Sequence, residues 1–436
     1  MIYFKRQLSQ KIIDFIEEKS KHKDVLILAG ARQVGKTTLL AKILENHPHL
    51  FLNLEKKRSV ARQIDVCEDF QDFSDYLADE HKFSPQEKIL VIDEAQASRN
   101  LSRFVRFMKE EWKFATVILT GSTVSELTRD QEREAVGRET YLELWPLTFK
   151  EFLQALDKDS LVKTLENFHL GDEFSFSKHE RFSEVFEQYL HVGGLPEVVQ
   201  RFLQNKDYKK YRKDILASYE DDFVRYFSLD EVNLFQRCLQ AVASNVGSPS
   251  KDTQVMRLDA PAYKKVANLF ARLERWRLIL KNEQFGVKPE KNKFFPKRYL
   301  FDVGILSDLR FKGMETISLK DLTTNHLRTP LGGWIENAIA LSLRAQFENV
   351  FGLKLSSQTE IDFAVKPYDL VYPIECKIAL RFKKNYLKTL RLYFQDHSTQ
   401  SKGFLFYGGP PLKENIEGVS VLPYYFCDEL RRLIVA

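Results

Sequence analysis

Short apolar runs separated by helix-forming stretches dominate the first third of the chain. Each of these runs is followed by glycine or an acidic residue; they are Val25 to Ala29, His49 to Leu54, Ile89 to Ile92 and Thr116 to Thr120. Apolar runs of this length are typical of parallel strands, which are buried on both faces of a sheet. The pattern therefore predicts an α/β fold built on a parallel sheet.

The first apolar run leads into a glycine-bounded loop that precedes a helix-forming stretch. The loop has the spacing G-x-x-x-x-G-K-T of the phosphate-binding loop of nucleoside triphosphatases, and a chance match in a glycine-containing turn is the alternative. Its backbone N–H groups would wrap around a phosphate, Lys36 would contact the β- and γ-phosphates, and the Thr37 hydroxyl would bind Mg²⁺. The predicted ATP-binding residues of the loop are Gly30, Ala31, Arg32, Gln33, Val34, Gly35, Lys36, Thr37 and Thr38.

Two acidic residues follow the third apolar run, as in the Walker B motif of ATPases. Asp93 is expected to hold Mg²⁺, usually through water, and Glu94 to polarise the water that attacks the γ-phosphate. The carboxyl ends of parallel strands lie at one edge of a sheet, so these acids would approach the phosphate loop. A helix N-cap is the alternative for the same two residues.

Further positions are candidates for contacts with the γ-phosphate. A polar residue after the fourth run, Thr120 or Ser122, would sense the phosphate between the two Walker strands, and capping of a turn is the alternative. Arg138 precedes the strand-like run Thr140 to Leu144 and resembles the arginine finger of AAA+ ATPases. Its guanidinium would neutralise charge on the transferred phosphoryl group in its own subunit or in a neighbour's, which would imply a homo-oligomer. An ordinary surface arginine is the alternative.

Four motifs together resemble one family of ATPases. They are G-A-R-Q-V-G-K-T-T, V-I-D-E-A-Q, L-T-G-S and the G-R that precedes L-W-P-L-T-F-K-E-F. The set is similar to that of prokaryotic AAA-type ATPases with a C-terminal domain of unknown function, DUF4143, which are close to the archaeal ATPase group. The resemblance extends over the whole chain and implies the fold and ATP hydrolysis, but no biological role. In that family a G-G-x-P turn, here Gly193, Gly194, Leu195 and Pro196, lies near the nucleotide; a helix C-cap explains its glycines equally well.

Four segments of different pattern are expected to form separate domains. Residues 1–150 are the ATPase core, 151–215 a helical lid, 216–302 a winged helix-turn-helix and 303–436 a restriction-endonuclease-like α/β domain. The lid is predicted from apolar residues at helical spacing between His179 and Val192.

Residues 251–300 carry much of the positive charge of the chain. This segment has thirteen basic and five acidic residues, a surplus of eight, whereas the whole chain has a net charge of +5. Three helices, Leu234 to Val246, a short segment from Asp252 to Asp259, and Pro261 to Leu278, precede two β-like runs, Leu278 to Phe285 and Phe294 to Phe301. This order suggests a winged helix that contacts DNA. A solvated basic face on a domain that only packs against its neighbours is the alternative. The candidate DNA-contacting residues are Lys264, Asn268, Arg272 and Arg275.

A helix, two strands, a second helix and a further strand are predicted over residues 334–407. This order, with Asp362 on one strand and Glu375 and Lys377 on the next, resembles the PD-(D/E)xK nuclease core. Side chains alternate along a strand, so Glu375 and Lys377 share one face. Asp362 and Glu375 would hold one or two Mg²⁺ ions, with Glu336 from the first helix nearby, and Lys377 would orient or stabilise the hydroxide formed there. Such folds also exist as binding domains with intact acids, which is the alternative.

Composition and cysteine content favour a cytoplasmic protein. The chain is 44% hydrophobic and 29% charged, as ordinary globular proteins are. Its four cysteines are far apart and form no C-x-x-C pair, which argues against a zinc site or a disulfide framework. Residues 1–23 lack the continuous apolar core of a signal peptide, and no apolar run approaches the ~18 residues of a membrane span.

Two functions of different classes follow, and both include an ATPase. In the first, ATP binding controls a nucleic-acid-acting enzyme whose C-terminal domain cuts a phosphodiester with Mg²⁺. In the second, the chain is an ATP-driven switch or scaffold whose C-terminal domain only binds DNA or a protein. A transcription regulator that uses the winged helix is a weaker third hypothesis.

Overall fold

A computed structural model of the chain describes ten segments, which fall into two compact units. The described residues are 2–18, 24–124, 139–224, 229–251, 263–286, 294–312, 317–323, 325–356, 358–397 and 402–435. The first unit is Met1–Trp145 with Arg275–Arg277, and the second is Pro146–Glu274 with Leu278–Ala436. The segments expected to form a lid, a winged helix and a nuclease-like domain therefore fall, apart from residues 275–277, in the second unit.

The first unit is built on a parallel sheet, as the apolar runs predict. Its described strands lie in the order β2-β3-β4-β1-β5, and every neighbouring pair is parallel. Asp93 stands opposite both Asn53 and Thr120 in the register. The phosphate loop and the acidic residues thus meet at one edge of the sheet. The strands are β1 (Val25–Ala29), β2 (His49–Asn53), β3 (Ile89–Asp93), β4 (Val117–Gly121) and β5 (Glu139–Glu143).

Helices cover this sheet with side chains at helical spacing. On α5, for example, Leu101, Phe104, Val105 and Met108 are buried, and the ring centroids of Phe73 and Phe104 lie 4.9 Å apart. Burying an apolar stripe of this kind stabilises a helix more than its intrinsic propensity does. The helices are α1 (Ser9–Glu17), α2 (Lys36–Ile43), α3 (Arg58–Val66), α4 (Phe70–His81) and α5 (Leu101–Glu110).

The second unit contains a helical layer and a six-stranded mixed sheet. The described strands of that sheet have the order β13-β12-β11-β10-β9-β7; β10 is antiparallel to both of its neighbours, and the other pairs are parallel. The strands of this unit are β6 (Ile279–Asn282), β7 (Gln284–Gly286), β8 (Lys297–Leu300), β9 (Val350–Lys354), β10 (Glu360–Val365), β11 (Tyr372–Cys376), β12 (Gly403–Tyr407) and β13 (Val419–Pro423).

The helices of the second unit include the one predicted around His179 to Val192, which begins earlier, at Phe176. The side chain of Ser175 accepts a hydrogen bond from the Lys178 N–H and caps that start. The helices are α6 (Phe149–Ala155), α7 (Asp159–Asn167), α8 (Phe176–Val192), α9 (Pro196–Leu203), α10 (Tyr208–Val224), α11 (Leu229–Asn245), α12 (Tyr263–Arg275), α13 (Val303–Arg310), α14 (Asn325–Gln346), α15 (Lys388–Asp396) and α16 (Leu430–Val435).

The first strand expected for the wing, Leu278 to Phe285, is divided between two sheets. Its first part, β6, pairs antiparallel with β8, whereas β7 pairs parallel with β9 in the six-stranded sheet. Gln284 lies so close to Gly352 that a Cβ there would meet its side chain at 2.2 Å, so a glycine lets the two strands approach. The expected boundary at residue 302 is therefore crossed by strand pairing.

The order helix, strands, helix, strand expected for the C-terminal region is present as α14-β9-β10-β11-α15-β12. Strand β9 was not identified from the sequence, and α14 begins at Asn325, nine residues before the expected Trp334. Within the described residues no helix combines the length and apolarity needed to cross a bilayer. The four cysteines are free thiols.

A buried arginine joins three helices of the second unit. Arg212 of α10 is 2% exposed, and it donates to both carboxylate oxygens of Asp308 at 2.5 and 2.6 Å and to the Val192 carbonyl at 2.9 Å. The same region holds the G-G-x-P turn, where the Gly194 N–H donates to buried Asp302 at 2.7 Å. A Cβ at Gly193 would lie 2.4 Å from that carboxylate. Packing and capping thus account for both glycines.

Replacing Arg212 should destabilise the second unit. Arg212→Met leaves the Asp308 carboxylate and the Val192 carbonyl without their charged donor, and we expect the free energy of unfolding to fall by ~3 kcal/mol. Urea denaturation followed by circular dichroism measures the change. Lys413→Met is the control, because Lys413 and its partner Glu173 are largely exposed and should change stability by less than about 0.5 kcal/mol. Equal effects of the two substitutions would contradict the assigned role.

Candidate functional site

The phosphate loop has the backbone geometry that wraps around an anion. Gln33 and Gly35 have positive φ angles of 63° and 97°, and α2 begins directly after Gly35. Lys36 is 6% exposed, and its Nζ donates to the carbonyls of Gly30 and Ala31 at 2.8 and 2.9 Å. Burial lowers the pKa of Lys36 to about 8, partly offset by the negative charges of Glu94 and Asp93.

The loop is held from outside by an arginine that the motif does not contain. Arg6 is 8% exposed and donates to the Val34 carbonyl at 2.9 Å and to the Trp145 carbonyl. Gly30 is fixed by close packing, since a Cβ there would lie 2.5 Å from the Leu144 carbonyl oxygen. Sequence reasoning did not identify Arg6, which is 28 positions away from Val34.

The two Walker motifs meet at Asp93. The Thr37 hydroxyl donates to Asp93 Oδ2 at 2.9 Å, the Asn53 amide donates to the same oxygen at 2.8 Å, and the Glu94 N–H donates to Oδ1 at 3.1 Å. A hydroxyl and a carboxylate at the start of a helix and at the end of a strand are the oxygen donors that Mg²⁺ binds. These residues therefore fit a Mg²⁺ ion bound with a nucleotide.

Glu94 is oriented by a neighbour in the same motif. It has a φ of 53°, and its Oε2 accepts a hydrogen bond of 2.6 Å from Gln96 Nε2. Gln96 packs against Gly121, where a Cβ would meet its Oε1 at 2.0 Å. The sequence offered a signal for Gln96 as the last letter of V-I-D-E-A-Q, but no role was assigned to it.

The remaining residues predicted to contact the nucleotide differ in their burial and in their partners. Thr120 is fully buried, and its hydroxyl has no hydrogen-bond partner among the described residues; Ser122 is half-buried just after β4. Arg32 lies at the surface and pairs with Glu55 at 2.9 Å. Arg138 lies outside the described residues, so its assignment as a finger stays a prediction.

Arg277, which was expected to belong to the winged helix, lies in the first unit. Arg277 is 6% exposed, pairs with Glu143 at 3.1 Å and reaches the Ser122 carbonyl at 3.5 Å. It is close enough to Lys36 for its charge to lower the pKa of that lysine. The sequence suggested only that Arg277 adds to a basic segment.

In the second unit, two of the four residues proposed for nuclease chemistry, Glu336 and Asp362, contact a buried lysine. Lys297, the first residue of β8, is 1% exposed, and its Nζ lies 3.2 Å from Glu336 Oε1, 3.2 Å from Glu360 Oε1 and 3.0 Å from Asp362 Oδ1. Burial favours a neutral Lys297, but the surrounding carboxylates raise its pKa well above the usual value. We call the group formed by Lys297, Glu336, Glu360, Asp362, Glu375 and Lys377 the carboxylate cluster.

Two hydrogen-bonding residues dock α14 against β8 and fix this geometry. Tyr299, two positions after Lys297 on the strand, donates to Glu336 Oε1 at 2.8 Å. Asn337, next to Glu336, is fully buried and bonds the Leu300 N–H and carbonyl at 2.7 and 2.9 Å. Burial raises the pKa of Glu336, and Lys297 opposes the rise.

Glu375 and Lys377 point to one side, as the strand alternation predicts, and they pair with each other. Burial, reinforced by the negative charge of Asp362, raises the pKa of Glu375 to about 8. The Cys376 N–H donates to Asp362 Oδ2 at 3.0 Å. The pKa of Asp362 is lowered despite burial, because Lys297 and Lys377 face it.

The centre of the carboxylate cluster does not fit a metal ion. The Lys297 ammonium lies where a shared cation would contact Glu336 and Asp362. Lys377 pairs with Glu375 Oε2, whereas Glu375 Oε1 has no hydrogen-bond partner among the described residues. No group of three or more His, Cys, Asp or Glu side chains in the described segments is placed to hold a metal ion. The sequence pattern did not reveal Lys297, which lies between Glu336 and Asp362. Binding of Mg²⁺ by Glu336, Asp362 and Glu375 stays a prediction.

The positive segment is less available to DNA than its charge suggests. Lys297 and Arg277 are buried in ion pairs, and Arg298 is 6% exposed and 3.4 Å from Glu274. Of the four candidate contacts, Asn268 is exposed, Arg272 and Arg275 are half-buried, and the Lys264 side chain lies outside the described residues. A DNA-binding role of α12 stays a prediction.

Comparisons with known proteins support the assignment of the first unit. Residues 22–153 match the family model described as AAA domain (AAA_14), which supports a P-loop AAA-type ATPase fold for this region. Residues 183–316 match a model described as a domain of unknown function, DUF8612. The DUF4143 part of the family resemblance is not confirmed.

Two relatives found by sequence are described only as uncharacterized proteins, and a solved structure of similar fold is a Walker-type ATPase. An uncharacterized protein of Methanocaldococcus jannaschii is 24% identical over 47% of this chain, and the match spans only 42% of that protein. An uncharacterized protein of Haemophilus influenzae is 22% identical over 89% of this chain and 91% of its own length. A Walker-type ATPase of Pyrococcus abyssi covers 71% of this chain and 96% of its own, with 17% identity and a TM-score of 0.43.

Gln96 should affect catalysis without affecting nucleotide binding. Gln96→Ala removes the hydrogen bond that orients Glu94, and we expect kcat for ATP hydrolysis to fall at least about tenfold with unchanged ATP affinity. Steady-state hydrolysis and a fluorescent-nucleotide titration measure the two quantities. Gln71→Ala is the control, because Gln71 bonds Asp75 on the exposed side of α4. A weakened ATP affinity with unchanged kcat would be inconsistent with this role.

Arg277 should contribute to ATP affinity. Arg277→Ala removes a positive charge near Lys36 and leaves the Glu143 carboxylate without this partner, so we expect ATP to bind roughly 3- to 10-fold more weakly. The double variant Arg277→Ala/Glu143→Gln should recover part of the loss, because it also removes the negative charge. Arg272→Ala, which lowers the net charge equally, is the control. An unchanged affinity in Arg277→Ala would disprove the contribution.

Proposed function

We propose that this chain hydrolyses ATP to ADP and phosphate with Mg²⁺ at the carboxyl edge of the parallel sheet. The supporting observation is the contact of 2.9 Å between Thr37 and Asp93, which come from different motifs 56 positions apart. It places Lys36 and Glu94 beside the same edge. The AAA family match over residues 22–153 supports ATP binding by this loop.

Different residues at this edge of the sheet bind the phosphates, bind Mg²⁺ and activate the attacking water. The loop N–H groups and the Lys36 ammonium bind and orient the β- and γ-phosphates. Thr37 and Asp93 hold Mg²⁺, which when bound withdraws charge from the phosphate oxygens. Glu94 orients the attacking water and accepts its proton, and Gln96 keeps the Glu94 carboxylate in position.

We further propose that the second unit turns ATP hydrolysis into recognition of DNA or a protein and does not cut a phosphodiester. The support is the carboxylate cluster, where the Lys297 ammonium lies among Glu336, Glu360 and Asp362 in the position of a cation. The resemblance to a nuclease core thus concerns its fold, which also serves binding domains. A homo-oligomer completed by Arg138 remains part of this proposal.

Three substitutions test the hydrolysis. Lys36→Ala should abolish ATP binding, Asp93→Asn should abolish Mg²⁺-dependent turnover, and Glu94→Gln should retain ATP but lower kcat about 100-fold or more. Phosphate release and nucleotide binding measure these effects. Lys42→Ala, an exposed lysine on the same helix that pairs with Glu45, should behave as the wild type. Equal hydrolysis in wild type and Glu94→Gln would reject the assigned mechanism.

The output is tested with DNA and RNA. Wild-type protein with ATP and Mg²⁺ should leave plasmid, linear and single-stranded DNA and RNA uncut, and DNA binding is measured on the same substrates. Cleavage that disappears in Asp362→Asn or Lys377→Ala would replace the proposed recognition role with a nuclease. Lys388→Ala, a substitution on α15 outside the cluster, is the control.

A further inference from the structure

Lys297 is placed as a cation shared by acids from separate elements. Glu336 comes from α14, and Glu360 and Asp362 come from β10, where alternate residues face the same side. Their nearest oxygens lie 3.0 to 3.2 Å from one nitrogen, which are hydrogen-bond distances for an ammonium group. Lys297 donates hydrogen bonds to Glu336 and Asp362 and forms an ion pair with Glu360 at 3.2 Å.

The burial of these charges requires compensation. Isolated carboxylates in a protein interior are strongly destabilising unless they are paired or bind a cation. Glu336, Glu360 and Asp362 all lie within 3.2 Å of the Lys297 ammonium, so the acids there outnumber the cation that they share. Lys297 and Lys377 supply the positive charge from within the chain.

We propose that the Lys297 ammonium takes the place of a divalent cation in the carboxylate cluster, so that the second unit assembles and works without a metal ion. The lysine enters from β8, which lies before the helix-strand core that supplies the acids. Tyr299 on the same strand bonds Glu336, and Asn337 bonds the backbone of Leu300. These contacts hold the strand, and with it the ammonium, against the acids.

The inference concerns the second unit and goes beyond ATP hydrolysis, which can be measured separately in the same substitutions made without Asp93→Asn. It predicts that removal of the lysine converts the cluster into a site for a divalent cation. Mn²⁺ is a suitable probe because it binds carboxylate oxygens as Mg²⁺ does. All variants carry Asp93→Asn, so that the Walker site does not contribute to the signal.

We call the Asp93→Asn protein the parent. In the absence of metal, the Lys297→Met variant should have a melting temperature roughly 10 °C below that of the parent, because the buried acids lose their shared cation. Millimolar Mn²⁺ should restore a large part of this loss, and isothermal titration should detect one bound Mn²⁺ per chain. The parent should bind none at the cluster and should melt at the same temperature with Mn²⁺ or EDTA.

Two control variants test whether Mn²⁺ binding requires the loss of the positive charge and whether it requires that loss at position 297. Lys297→Arg keeps the positive charge and should gain no Mn²⁺ binding. Lys354→Met removes the lysine that pairs with the other oxygen of Glu360 and should gain none either, because Lys297 still occupies the centre.

If Lys297→Met does not fold, Mn²⁺ binding by the parent protein tests the proposal. Mn²⁺ bound by the parent and lost in Asp362→Asn would overturn the proposal, as would a folded Lys297→Met that binds no Mn²⁺. Lys297→Met/Glu336→Gln removes one negative charge with the positive one and should recover stability in EDTA. Failure of that recovery would show that Lys297 acts through packing and would also overturn the proposal.

Discussion

The structure of the first unit depends on a requirement of parallel sheets: the loops that follow their strands meet at one edge. Because β1 and β3 are separated by β4 in the sheet, the phosphate loop after β1 and the acidic residues after β3 converge there. The hydrogen bond from Thr37 to Asp93 joins the two loops directly. Arg6 fixes the loop from the other side through the Val34 carbonyl, so a segment before the first strand also shapes the site.

The second unit solves a different electrostatic problem. Its acids lie on two adjacent strands and a helix, and Lys297 and Lys377 compensate part of their charge. Lys297 is too deeply buried to contact a nucleic acid or solvent, although it is one of the basic residues counted in residues 251–300. Net charge along a segment thus describes a surface only when the charges are exposed.

The residues that sequence reasoning missed act on the residues that it found. Gln96 bonds Glu94, Arg277 lies near Lys36, and Lys297 bonds Asp362. Gln96 belongs to the V-I-D-E-A-Q motif, whereas Arg277 and Lys297 are ordinary basic side chains that belong to no motif. Its role depends on which strand, helix or loop reaches the site, and in two of the three cases the partners are far apart in the chain.

The sequence by itself determined the α/β core, the parallel strands, the phosphate loop and the Walker acids, because local spacing and apolar runs specify them. It also placed Glu375 and Lys377 on one face, since alternation is a local property of a strand. Only the tertiary structure decided that β7 leaves the expected wing for the six-stranded sheet, and that an ammonium lies among the acids. Strand pairing and charge compensation join residues distant in sequence, so their outcome depends on packing that no local pattern encodes.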